Sequence, residues 1–211
     1  MISEISWIDL TFGAQALVTL IVIMDPPGAT PLFLSLVSDK TIREQRRLAW
    51  QAALTSFIVI TVFALFGQWI LDYLKISLPA LKGAGGLLLL LVSLELLKGE
   101  TKRKLDGSDS NVALVPLGTP LLAGPGAIVA IMLFVQQANQ DSDGAPKALA
   151  LALAVIVVHI LIGLTLMFST KIVSVIKESG VDLLARIAGL LLAAIAVEML
   201  ISAIKDFFPS L

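Results

Sequence analysis

The segment DPPGATP, Asp25 to Pro31, interrupts an apolar stretch covering about residues 10–37, which is long enough to cross a membrane as a helix. A proline inside a helix removes a backbone hydrogen bond and costs about 3 kcal/mol. A glycine in a helix costs about 1 kcal/mol relative to alanine. Pro26, Pro27 and Gly28 therefore predict that this helix is broken near its middle into two half-helices.

A related segment, AGPGAIV from Ala123 to Val129, interrupts a later apolar stretch in the same way. The tripeptide Pro-Gly-Ala recurs in both segments, at 27–29 and at 125–127, which is a shift of 98 residues (27 to 125). Two half-helices are predicted here as well, so the chain contains two interrupted helices.

A second match lies near the end of each half of the chain. With a shift of 103 residues (85 to 188), the sequences of 85–97 and 188–200 align, and Glu95 falls on Glu198. Two matches in the same order indicate an internal duplication. We predict a first repeat at 1–98, a linker at 99–112 and a second repeat at 113–211, within a single membrane domain that covers 1–211.

Composition places most of this chain in lipid. Of the 211 residues, 57% are hydrophobic and 15% are charged, whereas soluble proteins average about 45–50% and about 25%. An all-α bundle of six membrane-spanning helices follows, with three helices in each repeat. Because three is odd, the two repeats are inverted relative to each other, as in many secondary transporters. The predicted spans cover about 10–37, 48–71, 78–98, 113–137, 147–169 and 183–204.

The basic residues predict the orientation of the bundle, since cytoplasmic loops carry an excess of Lys and Arg. Eleven of them follow spans one, three and five, and four lie on the other side, so both termini are expected on the periplasmic or extracellular side. The eleven are Lys40, Arg43, Arg46, Arg47, Lys98, Lys102, Arg103, Lys104, Lys171, Lys177 and Arg186, and the four are Lys75, Lys82, Lys147 and Lys205.

Several kinds of site are not expected in this chain. The sequence has no cysteine and one histidine, His159, which argues against disulfides, thiolate chemistry and a histidine-based metal site. The net charge of −1 gives no reason to expect a nucleic-acid partner. We expect no cofactor and no enzymatic activity, and the lipid bilayer is the expected surrounding.

The two breaks are the predicted substrate site. A half-helix that begins at the middle of the membrane presents free N–H groups and the positive end of its dipole, which favour an anion. The alternative is that both breaks are plain kinks, which membrane helices tolerate. The predicted site residues are Asp25, Pro27, Gly28, Ala29, Thr30, Thr119, Ala123, Gly124, Pro125, Gly126 and Ala127.

The two breaks differ in their first residue. Asp25 precedes Pro26 as an N-cap residue precedes a first helical proline, so its carboxylate can bond the Gly28 amide. The matching residue in the second half is Ala123, which has no capping side chain and leaves the amides beyond it open. One break thus offers a negative charge and the other an anion site, which together fit a small zwitterion such as an amino acid. Thr30 and Thr119 can bond either the freed carbonyls or the ligand.

Ionisable groups within the spans are candidates for ion or proton coupling, because their burial in lipid is costly. They are Asp25, Glu95, Glu198 and His159. Three of them have an alternative reading: Asp25 as a cap, Glu95 as a group that reaches the cytoplasmic interface, and His159 as a neutral residue bonded to a neighbouring helix.

The segments DPPGATPLFLSL, Asp25 to Leu36, and PLGTPLLAGPGAI, Pro116 to Ile128, resemble the MarC family of bacterial inner-membrane proteins. The length and the six-span plan agree with this family over essentially the whole chain. The resemblance implies a multi-pass protein of the inner membrane. Some members of the family look like transporters of small neutral amino acids such as glycine and alanine.

Three classes of function remain after these observations. A secondary transporter for small neutral amino acids is the leading prediction. A non-transporting accessory protein associated with resistance is the alternative, and an intramembrane enzyme is the third, because no nucleophile motif accompanies His159. The substrate, the direction of transport, the coupling ion (H⁺ or Na⁺) and the oligomeric state are not determined by the sequence.

Overall fold

The computed structural model describes residues 8–37, 39–98, 122–140 and 144–208, and the elements within these ranges are α-helices without any strand. The predicted all-helical class is therefore confirmed. The helices are α1 (Leu10–Met24), α2 (Pro26–Leu36), α3 (Ile42–Leu74), α4 (Leu78–Lys98), α5 (Pro125–Gln140), α6 (Gly144–Met167) and α7 (Ser169–Phe207).

Five helical segments in the described part of the chain are long and apolar enough to cross a membrane. Of the predicted fourth span, the structure describes only the second half, α5, which has 16 residues. The first half of that span, with Thr119, lies outside the described residues. The five segments are Leu10–Pro31, Ile42–Leu74, Leu78–Lys98, Gly144–Met167 and Asp182–Phe207.

The second span is longer than its apolar stretch predicted. Helix α3 begins at Ile42 instead of about residue 48, because Thr41 and Glu44 form a capping box in which each side chain bonds the other residue's backbone. At its other end Lys75 adopts a left-handed conformation with φ 56° and stops the helix. The charged first turn of α3 thus extends the helix beyond its apolar part.

The segment between the fifth and sixth spans is also helical, where a short polar connection was expected. Helix α7 begins at Ser169 and is kinked at Lys177, whose φ of 60° and ψ of 166° are not helical. The apolar part of α7 begins at Asp182, close to the predicted start of the sixth span.

Helices α4 and α7 form the most extensive helix pair, while α6 packs between α1 and α3. Glycines permit the close approach of α4 to α7. A Cβ atom on Gly86 would lie 2.9 Å from the Ala196 carbonyl oxygen, and one on Gly189 would lie 3.1 Å from the Ser93 carbonyl oxygen. Small residues at such crossings let two backbones approach each other in a membrane.

The pair is also joined by an ion pair at one end. The Lys82 ammonium is 2.6 Å from a carboxylate oxygen of Asp206 and 3.3 Å from the Ser202 hydroxyl. Lys82 lies in the first turns of α4 and Asp206 in the last turn of α7, so α4 and α7 run antiparallel.

We predict that Gly86→Ala destabilises the protein and that Gly83→Ala does not. Both changes add one methyl group to α4, but at Gly83 the new atom would meet only the Ala203 side chain, at an ordinary distance of 3.7 Å. At Gly86 the backbone of α7 must move, and such overpacking costs about 1–3 kcal/mol. Thermal unfolding of the two purified variants measures the difference, and equal melting temperatures would contradict this account of the crossing.

Candidate functional site

The first break consists of a single residue between two helices. Asp25 follows the last residue of α1 and precedes Pro26 at the start of α2, with φ 38° and ψ 65°. Its N–H donates to the Ile21 carbonyl at 2.9 Å, and its carbonyl accepts from the Ala29 N–H at 3.0 Å. Asp25 thus makes the last backbone hydrogen bond of α1 and the first of α2, while its left-handed backbone, which Asp tolerates better than most residues, redirects the chain.

The Asp25 side chain caps α2. Its Oδ1 atom accepts a hydrogen bond from the Gly28 N–H at 3.1 Å, which confirms the predicted cap. A Cβ atom at Gly28 would collide with this carboxylate, so glycine is what permits the approach. The Thr30 hydroxyl is buried and donates to the Pro26 carbonyl at 3.1 Å. Of the two roles left open for Thr30, the bond to a freed carbonyl is confirmed, and contact with a ligand stays a prediction.

The second break begins α5 one residue later than the repeat alignment predicted. The Gly124 carbonyl accepts the first helical bond, from the Ile128 N–H at 3.1 Å, and Pro125 is the first helical residue. The cap position is therefore Gly124, and the assignment of Ala123 to the position of Asp25 was wrong by one residue. The reason is that the first half has an additional proline, Pro26, which starts its helix one residue earlier.

The start of α5 has no side-chain cap. Among the residues that the structure describes, none has a side chain that accepts a hydrogen bond from the amides of Gly126 or Ala127. Gly124 itself carries no side chain that could do so. The predicted difference between the two breaks is thus present, with Gly124 in the place of Ala123.

The two breaks lie close together in the core. A Cβ atom on Gly126 would lie 3.5 Å from the Cγ2 atom of Ile23, two residues before Asp25, and would collide with Leu89. Residues of both breaks belong to one buried hydrophobic cluster, and three of its five members next to the breaks are alanines. The five are Met24, Ala29, Leu122, Ala123 and Ala127.

The two glutamates predicted as coupling candidates, Glu95 and Glu198, lie away from the breaks. Glu95 on α4 and Glu198 on α7 are both exposed on the outer surface of this helix pair. Neither forms an ion pair with any residue of the described ranges. The structure therefore does not bring them to the breaks, and their role in ion coupling stays a prediction.

His159 joins α6 to α3. Its Nδ1 is 2.7 Å from the Val155 carbonyl oxygen, which can only accept, so Nδ1 carries the proton. Its Nε2 is 3.2 Å from the Ser56 hydroxyl, and the Phe57 ring packs edge-on against it at 5.4 Å. The bond to Ser56 on α3 is the contact with a neighbouring helix that was expected for a neutral His159. A proton relay through His159 stays a prediction.

Polar side chains that the sequence analysis did not single out meet at another place. The amides of Gln68, Gln136, Asn139 and Gln140 line a cleft of about 240 Å³ between α3 and α5. Each of them lies near the end of an apolar helix, where polar residues are common. The sequence therefore offers no reason to single them out, and only the structure shows that they line one cleft. No group of three or more metal-binding side chains occurs within the described ranges.

Comparisons with known proteins agree with the fold and the sequence motifs. The family model described as MarC family integral membrane protein matches residues 10–208. The chain is 35% identical over 204 residues to the UPF0056 membrane protein MJ1677 of Methanocaldococcus jannaschii, covering 93% of this chain and 98% of that protein. It is 28% identical to the UPF0056 membrane protein YvbG of Bacillus subtilis, covering 95% and 98%. No solved structure matches the chain significantly.

We predict that Asp25→Ala destabilises the protein by about 1–2 kcal/mol, the typical cost of losing an N-cap, while Asp25→Asn stays close to wild type. Asn caps helices as well as Asp and also tolerates the left-handed backbone that Asp25 adopts. Thermal unfolding in detergent checks this, with Asp9→Ala as a comparison, because Asp9 caps α1 through the Phe12 N–H at 2.9 Å. An Asp25→Ala protein as stable as wild type would contradict the capping role.

Proposed function

The chain belongs to the MarC family of integral membrane proteins, and on that premise we propose that it is a secondary transporter of small neutral amino acids such as glycine or alanine. The observation that carries the proposal is that α1 and α2 are separated by a break with its own capping carboxylate, and that the start of α5, which no described side chain caps, lies next to this break in the core. A zwitterion has the two charges that such a pair of breaks would receive.

The carboxylate of the substrate would bind at the start of α5. The N–H groups of Gly126 and Ala127 point out of the first helical turn, and the helix dipole adds partial positive charge there. Both residues are buried, so the attraction acts in a low dielectric and is stronger than in water. This supports an anion site that needs no basic side chain.

The ammonium of the substrate would face Asp25. Oδ1 of this half-buried carboxylate accepts the bond from Gly28, and Oδ2 accepts none from the described residues. The neighbouring residues Ala29, Ala123 and Ala127 are no more than 4% exposed. With so little free volume around the breaks, a small substrate side chain is favoured.

We further propose six spans in two inverted repeats, 1–98 and 113–211. Reciprocal contacts between α4 and α7 support this arrangement. Under the shift of 103 residues, Gly86 corresponds to Gly189 and Ser93 to Ala196. Gly86 approaches the Ala196 carbonyl, and Gly189 approaches the Ser93 carbonyl. Such an exchange between antiparallel helices is what a two-fold axis perpendicular to both of them produces, and this axis would lie in the membrane plane.

The distribution of basic residues supports both termini on the periplasmic or extracellular side, and the resemblance to the MarC family supports the inner membrane. Of the four coupling candidates, Asp25 alone lies at a break, which favours it over Glu95, Glu198 and His159 as the group that meets a coupling cation or the substrate.

We predict that Asp25→Asn abolishes transport while the protein stays folded. Asn keeps the cap but loses the charge, and a hydrogen bond to a charged group contributes about 1.5–3 kcal/mol. Glycine and alanine uptake into proteoliposomes measures this, with Asp9→Asn as the control that removes a charge from another helix cap. Wild-type uptake by Asp25→Asn would leave Asp25 only the capping role, and no uptake by the wild-type protein would favour the accessory function.

We predict that Gly124→Asp weakens glycine binding more than tenfold, about 1.4 kcal/mol, without loss of stability. The new carboxylate would cap α5 as Asp25 caps α2 and would compete with the substrate for the same amides. Gly124→Ala adds only a methyl group and serves as the control. Binding to the purified proteins is measured by calorimetry, and unchanged affinity in a folded Gly124→Asp variant would mean that the carboxylate binds elsewhere.

A further inference from the structure

Two adjoining clefts run along the side of α3 that faces α5 and α6. The first, of about 240 Å³, is lined by four amide side chains and four apolar ones, and the amides are those of Gln68, Gln136, Asn139 and Gln140. The second, of about 300 Å³, shares Asn139 with the first and is otherwise lined almost entirely by apolar side chains. Together they form a groove, here called the α3–α6 groove, that is polar at one end and apolar along its length.

The dimensions of the α3–α6 groove match one leaflet of a bilayer. Gln68 at its polar end and Phe57 at its apolar end are 11 residues apart on α3 (68 minus 57), which is about 16 Å of helix. The hydrocarbon core of one leaflet is about 15 Å thick, half of about 30 Å. Next to Gln68, the stacked rings of Trp69 and Tyr73 are 66% and 76% exposed. Exposed Trp and Tyr mark the headgroup level, so the amides lie at that level.

The polar end of the groove carries no positive charge. Among the described residues that line the two clefts there is no Lys or Arg. The Gln68 amide donates to the Asp72 carboxylate at 3.1 Å, which adds a negative charge beside the cleft. Lys147 on α6 is directed to the Phe12 ring of α1, 5.3 Å away. This end therefore suits a headgroup with an ammonium and disfavours one with net negative charge.

The small volume of the groove suits an acyl chain better than a protein helix. A helix with its side chains is about 10–12 Å across, whereas the two clefts have volumes of only about 240 and 300 Å³. A single acyl chain is narrow enough to follow the apolar cleft.

We propose that the α3–α6 groove is a binding site for one zwitterionic phospholipid with an ammonium headgroup, such as phosphatidylethanolamine. Its phosphate and ester oxygens accept hydrogen bonds from the amides of Gln136 and Asn139, which line the polar end of the groove. The ammonium lies near Asp72, and one acyl chain fills the apolar cleft as far as Phe57. This site is separate from the two breaks and does not depend on the transport proposal.

The chain offers a matched pair of variants to test the site. Ala152 is an exposed residue of α6 that lines the apolar cleft, and Ala194 is an exposed residue of α7 that does not. Phe at 152 fills the cleft, while Phe at 194 only adds apolar surface. Native mass spectrometry of the purified proteins counts the lipids retained after phosphatidylethanolamine or phosphatidylglycerol is added.

We expect the wild-type protein and Ala194→Phe to retain one phosphatidylethanolamine, with at least about tenfold lower affinity in Ala152→Phe, a difference of about 1.4 kcal/mol. The Asn139→Leu variant should lose the preference for phosphatidylethanolamine over diacylglycerol and still bind the acyl chain in the apolar cleft. Equal retention by Ala152→Phe and Ala194→Phe would overturn the site. Equal retention of the two phospholipids by the wild-type protein would overturn the headgroup assignment, and a dimer that only Ala152→Phe abolishes would identify a second copy as the occupant.

Discussion

In a membrane each backbone N–H and C=O must find its partner within the protein, since no water is available and an unpaired group costs several kcal/mol. Breaking a helix in the middle of the membrane frees several such groups at once. At the first break a single residue, Asp25, limits this cost, because its backbone serves both helices and its carboxylate serves the first turn of α2. Without this cap the Gly28 amide would lose its partner, so the first break depends on the Asp25 side chain.

At the second break no side chain of the described residues caps α5, and this difference between the halves is the basis of the proposed chemistry. The start of α5 lies among small buried residues next to the first break, with Gly126 close to Ile23. Two open breaks would attract anions alone, and two capped breaks would attract none. In the proposed site, one break of each kind would offer a positive and a negative group to the same substrate.

The sequence predicted the features that local chemistry determines. The break at Asp25 and its bond to Gly28 followed from a carboxylate placed before a proline, and the span of α4 followed from its apolar run. Other features depend on contacts that a repeat alignment or a composition does not contain. The shift of the cap to Gly124 depends on which proline begins each helix, and the kink at Lys177 has no Pro or Gly at its own position to signal it. The meeting of Gln68 with Asn139 depends on how α3 packs against α5.

The closeness of the two breaks has a consequence for how such a chain can evolve. If the proposed repeats arose by gene duplication, two identical ancestral halves would have carried two copies of Asp25 on either side of one small buried volume. Like charges so placed in a low dielectric repel each other, and one of the carboxylates must take up a proton. The loss of the acidic residue from one half would relieve this repulsion and free the amides of that half in the same step. Together with the one-residue difference in helix start between the halves, this loss would have turned a symmetric ancestor into a protein whose two breaks differ chemically.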